Sequence, residues 1–135
     1  MSDKAIEILE RLVSFPSVSG LPTHEIVNYI KDFLEGHGLD VILSFDDKQE
    51  RANVFATIGP KIDGGVLLNG HTDVVAVEGQ KWATDPFKPE IIEGRLFARG
   101  SGDNKAGVVT HYEVVKNLLE TLPVNVKIFI EGEEE

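Results

Sequence analysis

The feature that most constrains how this chain can fold is the alternation of two hydrophobic periods along its 135 residues. In some segments apolar residues recur every three or four positions, as on one face of a helix. In others, short apolar runs bounded by glycine or proline have the spacing of β-strands. Segments of the two kinds are interspersed along the chain, which predicts an α/β fold with helices on both faces of a sheet.

The helical period predicts three helices. They run from Ser2, as N-cap, to the Phe15-Pro16 step, from about Thr23 to Gly36, and from about Asn104 to Thr121. Their apolar faces consist of Ala5, Ile8, Leu9, Leu12 and Val13; of Ile26, Val27, Ile30, Phe33 and Leu34; and of Val108, Tyr112, Val115 and Leu119.

Several short segments have the pattern of strands. They are Val41 to Phe45, Asn53 to Ile58, Val66 to Leu68, Ile91-Ile92, Leu96-Phe97 and Val124 to Ile130. Glu93-Gly94-Arg95, between the segments Ile91-Ile92 and Leu96-Phe97, predicts a hairpin turn. The third segment contains no polar residue, which predicts a strand that is covered on both faces.

The composition excludes several classes of function. The chain has no cysteine, so disulfides, thiolate zinc sites and cysteine nucleophiles are excluded together. A net charge of −10 argues against binding to nucleic acid, whose phosphates require a basic surface. No segment approaches the ~18 consecutive apolar residues of a membrane span, and the charged N-terminal residues do not form a signal peptide. We therefore expect a soluble, cytoplasmic protein without nucleic-acid or membrane partners.

Three polar clusters follow predicted strands. Gly70 to Asp73 follows the third strand, Gly100 to Asp103 follows the hairpin, and Glu131 to Glu135 follows the last strand. In open α/β sheets, functional sites lie beyond the carboxyl ends of the strands, and a single parallel sheet would bring all three clusters to one edge. Because the clusters share imidazole and carboxylate groups, a metal site would be built from His, Asp and Glu.

Each cluster taken alone also has a simpler interpretation. His71 and Asp73 could be a hydrogen-bonded loop pair, and the acidic end could be a solvated tail. The glycine-rich segment could hold a phosphate with Lys105, but its spacing fits neither phosphate-binding fingerprint, and Asp103 would repel the anion. The functional interpretation is that His71 binds a metal ion through one ring nitrogen while the Asp73 carboxylate accepts a hydrogen bond from the other.

Taken together, the motifs resemble one known family. They are Asn69 to Val75, Trp82 with Asp85-Pro86-Phe87, Gly94 to Lys105, and Glu131 to Glu135. In this order they resemble the dizinc metallopeptidase and amidohydrolase family of acetylornithine deacetylase, succinyl-diaminopimelate desuccinylase, aminoacylase and the carnosine-type dipeptidases. The resemblance covers nearly the whole chain and implies a zinc-peptidase-like catalytic domain.

Position by position, the resemblance implies a site for two zinc ions. His71 corresponds to a ligand of one zinc, and Asp73 corresponds to the residue that orients it during catalysis. Asp103 corresponds to the carboxylate that bridges both ions. The resemblance also implies that the peptide bond between Asp103 and Asn104 is cis.

The family pattern ends in a pair of glutamates, of which the first is the general base and the second is a zinc ligand. Three consecutive glutamates leave two registers open. In the preferred register Glu134 is the base and Glu135 is the ligand. In the alternative register the pair is Glu133 and Glu134.

The resemblance implies a metal-dependent hydrolase that cleaves the amide bond of small N-acyl amino acids. Two zinc ions serve as cofactors, and cobalt could replace them. An alternative within the family is a dipeptidase of the carnosine-hydrolysing type. The resemblance further implies a homodimer.

The sequence ends at Glu135, directly after a strand of the buried type, which indicates a piece of a longer protein. We interpret residues 1–135 as the N-terminal portion of a single catalytic domain, without its C-terminal half and without the lid and dimerisation domain. The chain by itself is then expected to be inactive, to hold metal poorly and to leave the sheet edge at Val124 to Ile130, or the face beside it, uncovered. The alternative from another class is a truncated, non-catalytic relic or a binding fragment.

Overall fold

The α/β class predicted from the hydrophobic periods is confirmed by a computed structural model that describes residues 2–118 and 123–135. The helices in these ranges are α1 (Asp3–Val13), α2 (His24–Gly36) and α3 (Lys105–Leu118). The strands are β1 (Asp40–Phe45), β2 (Ala52–Ile58), β3 (Val66–His71), β4 (Glu90–Ile92), β5 (Arg95–Phe97) and β6 (Val126–Glu131). Within the same ranges, no helix is long and apolar enough to cross a membrane.

The main sheet is mixed, with the strand order β1-β2-β6-β3. Strand β2 pairs antiparallel with both β1 and β6, and only β3 and β6 are parallel neighbours. The expectation of a single parallel sheet is therefore wrong. The reason is local, because the short polar turn between Phe45 and Ala52 leaves no room for the crossover that parallel neighbours need.

The helices pack on one face of the sheet. Helix α2 contacts β1 and β2, helix α3 contacts β3 and β6, and α1 packs on α3. The sheet residues below them include the cross-strand partners Val54 and Ile130, which are buried. On the opposite face Ile42 and Leu67 are 64% and 58% exposed. In the part of the chain that the structure describes, the helices expected on both faces are thus found on one.

Strand β3 forms an edge of the sheet, and β6 lies in its interior. Val66 and Leu67 are largely exposed, so the prediction that this strand is covered on both faces is wrong for its first half. Only its end, Gly70-His71, is buried. Of the two expectations for the last strand, an open edge is wrong, because β6 lies between β2 and β3. An apolar run indicates that a strand can be buried, but its neighbours in the sheet depend on the path of the whole chain.

The predicted helix and hairpin boundaries are largely confirmed. The Ser2 hydroxyl accepts a hydrogen bond from the Ala5 amide at 3.2 Å and caps α1, whose five predicted apolar residues are all buried. Phe33 of α2 is only partly buried. The predicted stripe and end of α3 reach Leu119 and Thr121, which lie outside the described residues, and so does the side chain of Val115.

The hairpin β4–β5 is separate from the main sheet. Its two turn residues, Glu93 and Gly94, have φ angles of 49° and 75°. Two left-handed residues in succession are what a tight two-residue hairpin requires, and they confirm the predicted turn. Because β5 is not part of the main sheet, the loop after it has to carry Asp103 to the sheet edge.

Candidate metal centre

The three predicted polar clusters meet at one edge of the mixed sheet. Strands β3 and β6 are parallel and in register, so that His71 lies opposite Glu131 and the residues after both strands emerge side by side. The loop before α3 brings Asp103 to the same place. One ring nitrogen of His71 and one carboxylate oxygen each of Asp103 and Glu135 all lie within 4.8 Å of one another. The sheet geometry therefore brings together three side chains of types that can bind a metal ion, from distant parts of the sequence.

The imidazole of His71 is held at both of its nitrogens. Nδ1 lies 3.1 Å from the main-chain oxygen of Asp73, which can only accept, so Nδ1 carries a hydrogen. Nε2 lies 3.0 Å from Oδ1 of Asp103. Burial lowers the pKa of His71, but the hydrogen bonds to Asp73 and Asp103 and their negative charges outweigh it, so the pKa is raised. A metal ion at Nε2 would take the place of the proton that these contacts favour.

The expectation that the Asp73 carboxylate accepts the hydrogen of His71 is wrong, because the main-chain oxygen of Asp73 accepts it and the carboxylate holds the acidic segment. Its Oδ2 accepts hydrogen bonds from the backbone amides of Glu134 at 2.8 Å and Glu135 at 2.9 Å. Its Oδ1 lies 3.4 Å from Nδ1 of His71 and has no hydrogen-bond partner among the described residues. Asp73 is completely buried. Nothing in the sequence signals these backbone contacts, because they join residues about sixty positions apart.

The three consecutive glutamates have different surroundings. The Glu133 carboxylate forms an ion pair with the guanidinium of Arg51. Oε2 of Glu134 lies 3.8 Å from Nε2 of His71, and Glu135 belongs to the group of three described above. The main-chain oxygen of Glu135 accepts a hydrogen bond from the Ser19 hydroxyl at 3.1 Å. The segment is thus held at several points by residues that the sequence analysis did not assign to the site.

Lys105 is a further residue near the site, and the sequence analysis gave it no role once the phosphate site had been set aside. It is completely buried, and its ammonium donates a hydrogen bond to the main-chain oxygen of Phe15 at 3.0 Å. Burial lowers its pKa to about 7, although the charge of Asp73 acts in the opposite direction. Its position within the Gly94 to Lys105 motif was the only signal. Because the ammonium is turned into the protein, it cannot assist a phosphate at the start of α3.

The loop that carries Asp103 has two further features. The peptide bond between Asp103 and Asn104 is cis, as the resemblance implied. Upstream, the guanidinium of Arg99 lies 5.1 Å from the ring centroid of Trp82 and also contacts the side-chain oxygen of Gln80. Cation–π contact of this kind holds two loop segments together. Trp82 thereby packs within the loop that leads to the site.

The donor set fits a divalent metal ion. The donors are one imidazole nitrogen and two carboxylate oxygens, and the sequence has no cysteine to supply a thiolate. Zinc and other first-row metals accept this combination of donors. The second ring nitrogen of His71 is held by a main-chain acceptor, which is the usual arrangement for a metal-binding histidine. These donors alone would not complete the coordination of an ion, which leaves positions for water, substrate or further ligands, as in a catalytic site.

Comparison with known proteins identifies the class to which this fold and site belong. The sequence profile of Peptidase family M20/M25/M40 matches residues 67–135, about half of the chain. The chain belongs to this family, which confirms the resemblance seen in its motifs. It is 33% identical over 136 residues to the succinyl-diaminopimelate desuccinylase of Anaplasma marginale (strain Florida), covering 98% of this chain and 34% of that protein. It is 32% identical over 107 residues to the acetylornithine deacetylase of Proteus mirabilis (strain HI4320). This match covers 74% of this chain and 27% of that protein.

Solved structures of the family share the fold. An M20 family metallo-carboxypeptidase from Sulfolobus solfataricus superposes with a TM-score of 0.84 at 30% identity, covering 97% of this chain and 31% of that one. Human carnosine dipeptidase 1 superposes with a TM-score of 0.82 at 28% identity. This superposition covers 96% of this chain and 32% of that one. The chain therefore spans about a third of the length of these relatives.

Proposed function

We propose that the full-length protein is a metal-dependent hydrolase that cleaves the amide bond of N-acyl amino acids. The observation that carries this proposal is the convergence of His71, Asp103 and Glu135 at the edge of the sheet. The names of the relatives, desuccinylase and deacetylase, support an acyl group as the part that is removed. Because the chain spans about a third of these relatives, we further propose that residues 1–135 are the N-terminal portion of a catalytic domain and that the rest of the protein would add further ligands.

The metal proposed for this site is zinc, as two ions, with cobalt as a substitute. We assign His71 to one ion, Glu135 to the other and Asp103 to both. Bound zinc supplies Lewis acidity that polarises an amide carbonyl and makes a water molecule more acidic. Asp73 keeps the hydrogen of His71 on Nδ1 through its main-chain oxygen, so that Nε2 is the nitrogen that faces the metal.

Glu134 is the proposed general base. Its carboxylate is about half exposed and lies beside His71 without belonging to the group of three donors, as a base that must reach water requires. It would take the proton of the attacking water and pass it to the leaving amine. The ion pair between Arg51 and Glu133 supports this register over the alternative pair, because it occupies the Glu133 carboxylate.

A dipeptidase of the carnosine-hydrolysing type is the second candidate. The close superposition with human carnosine dipeptidase 1 favours it. Both candidates break an amide bond with the same metal centre and differ in the group that is recognised beside it. Turnover of N-acetyl and N-succinyl amino acids against turnover of dipeptides by the metal-loaded full-length protein would separate them. A protein that cleaves neither class is the non-catalytic relic, and that result would overturn the proposal.

Substitutions in the full-length protein test the assigned roles. Glu134→Gln should lower kcat by at least about 100-fold and retain both metals, because it removes a base and not a ligand. His71→Ala and Glu135→Gln should each lose metal, as measured by atomic absorption after dialysis. Glu25→Gln, at an exposed glutamate of α2 away from the site, is the matched control and should retain both turnover and metal. Loss of metal from Glu134→Gln but not from Glu135→Gln would show that the base has been misassigned.

A further inference from the structure

The acidic segment Glu131–Glu135 offers three consecutive carboxylates to a site that uses two. Because the three glutamates are consecutive, a shift of the segment by one residue would exchange which two of them lie at the metal centre. Something outside the segment has to select one register. The contacts of Arg51 bear on this choice.

Arg51 is a fixed and largely enclosed cation. Its side chain is 20% exposed, and its Nε donates a hydrogen bond to Oδ2 of Asp46 at 3.1 Å. The other oxygen of Asp46 accepts hydrogen bonds from the backbone amides of Glu50 at 2.8 Å and Arg51 at 3.2 Å. The guanidinium is therefore oriented by the turn between β1 and β2 before it meets Glu133. An exposed ion pair between two mobile side chains would lack this orientation.

The backbone beside Glu133 is fixed as well. The amide of Gly132 donates a hydrogen bond to the side-chain oxygen of Asn53 at 3.0 Å. A Cβ atom at Gly132 would lie 2.5 Å from the main-chain oxygen of Ala52, so the segment runs directly against the start of β2. On the other side of Glu133, Asp73 accepts the amides of the next two glutamates. A shift by one residue would break these contacts together.

We propose that Arg51 is a positioning residue that sets the register of the acidic segment. By binding Glu133, it leaves Glu134 and Glu135 to the metal centre. This inference rests on the proposed function, in which Glu134 is the base and Glu135 a ligand. Without Arg51, Glu133 would be free to compete for the metal, and the segment would exchange between two registers.

Amide hydrogen exchange of this chain, measured by NMR without metal, tests the register directly. Arg51→Met should reduce the protection of the Glu134 and Glu135 amides by about tenfold or more, because their contact with Asp73 would open more often. Arg51→Lys keeps the charge but cannot bind Asp46 and Glu133 with one planar group, so it should give a smaller loss. Lys31→Met, which removes a partner of Glu35 on α2, is the matched control and should change neither amide. Unchanged protection in the folded Arg51 variants would overturn the inference.

Zinc affinity provides a second, independent readout. In the presence of Arg51, Glu135→Gln should weaken zinc binding to the full-length protein by about tenfold, since it removes one ligand. In an Arg51→Met background the same substitution should weaken zinc binding by less than about threefold, because another glutamate can replace Glu135 as a ligand. Equal losses in both backgrounds would contradict a role of Arg51 in the register. No effect of Glu135→Gln in either background would instead contradict the proposed ligand, while the exchange experiment would still decide on Arg51.

Discussion

At the scale of single residues, the site depends on two buried side chains of opposite charge. Asp73 and Lys105 are both completely buried. Buried charges are costly unless they are paired or hydrogen-bonded. Asp73 receives two backbone amides, whereas Lys105 donates to a main-chain oxygen and is influenced by the charge of Asp73. The two residues join the segment around Phe15, the strand end at His71 and the acidic segment into one structure.

Lys105 should make the stability of this chain depend on pH. Its pKa is about 7 in the folded chain and 10.5 ordinarily, so between these values only the unfolded chain holds the proton. Stability should therefore rise with pH across this window and be lost as the pH falls towards 7, with a slope of up to ~1.4 kcal/mol per pH unit. Lys105→Met should remove this slope in urea unfolding between pH 7 and 10.

The effect of His71 and a control variant have to be considered when this prediction is tested. His71 acts in the opposite direction, because its pKa is raised. Its contribution is present below its ordinary value of 6.5 and is lost as the pH rises through the folded value. Comparison of variants therefore isolates Lys105. Lys61→Met, at an exposed lysine, should retain the slope of the unsubstituted chain. An unchanged slope in Lys105→Met would mean that the buried ammonium stays charged.

At the scale of secondary-structure elements, the site exists because β3 and β6 are parallel neighbours joined through α3. Their carboxyl ends lie together, and the loop before α3 returns the chain to the same edge. The acidic segment continues β6 past the end of its pairing and packs on the first residues of β2. Gly132 makes this close approach possible, because a side chain there would meet the main chain of Ala52.

Gly132→Ala should destabilise the chain by about 1–3 kcal/mol, because the added methyl group would meet a main-chain oxygen that cannot move aside. Gly102→Ala is the matched control, since among the described residues no atom beyond its chain neighbours lies within 4 Å of its Cβ position. It should change stability by less than ~0.5 kcal/mol. The free energies of unfolding in urea give both values. Similar effects of the two substitutions would contradict the close packing of the acidic segment on β2.

At the scale of the whole molecule, the described part of the chain leaves sheet surface open. The edge strand β3 exposes Val66 and Leu67, and Ile42 is exposed on the face opposite the helices. Open strand edges and apolar patches favour association. The homodimer implied by the resemblance remains a prediction, and β3 is the surface at which self-association of this chain is expected.

Leu67→Glu should shift this chain towards the monomer in sedimentation velocity experiments. A charge on an edge strand opposes pairing with another copy, and the cross-strand neighbour Lys127 would offset the new charge within the fold. Leu21→Glu, at an equally exposed leucine outside the strands, should leave self-association unchanged. A chain that is monomeric at all concentrations before substitution would contradict this prediction.

The amino-acid sequence by itself determined the elements and the chemistry of the site. Helix α1 with its Ser2 cap, the turn at Glu93-Gly94 and the strand segments could be predicted because periodicity and turn preferences are local properties. The imidazole and carboxylate donors could be named because their motifs are short and ordered along the chain. Their positions in space followed from the resemblance, and not from the spacing of the motifs alone.

Only the tertiary structure decided which strands are neighbours and which charged groups meet. Strand β3 became an edge, β2 became antiparallel to β6, and Lys105 became buried beside Asp73. The contact between Arg51 and Glu133, on which the register of the glutamates depends, joins residues 82 positions apart. Pairing and electrostatic interactions depend on distances between atoms, and these distances are set by the path of the whole chain and not by the local pattern of residues.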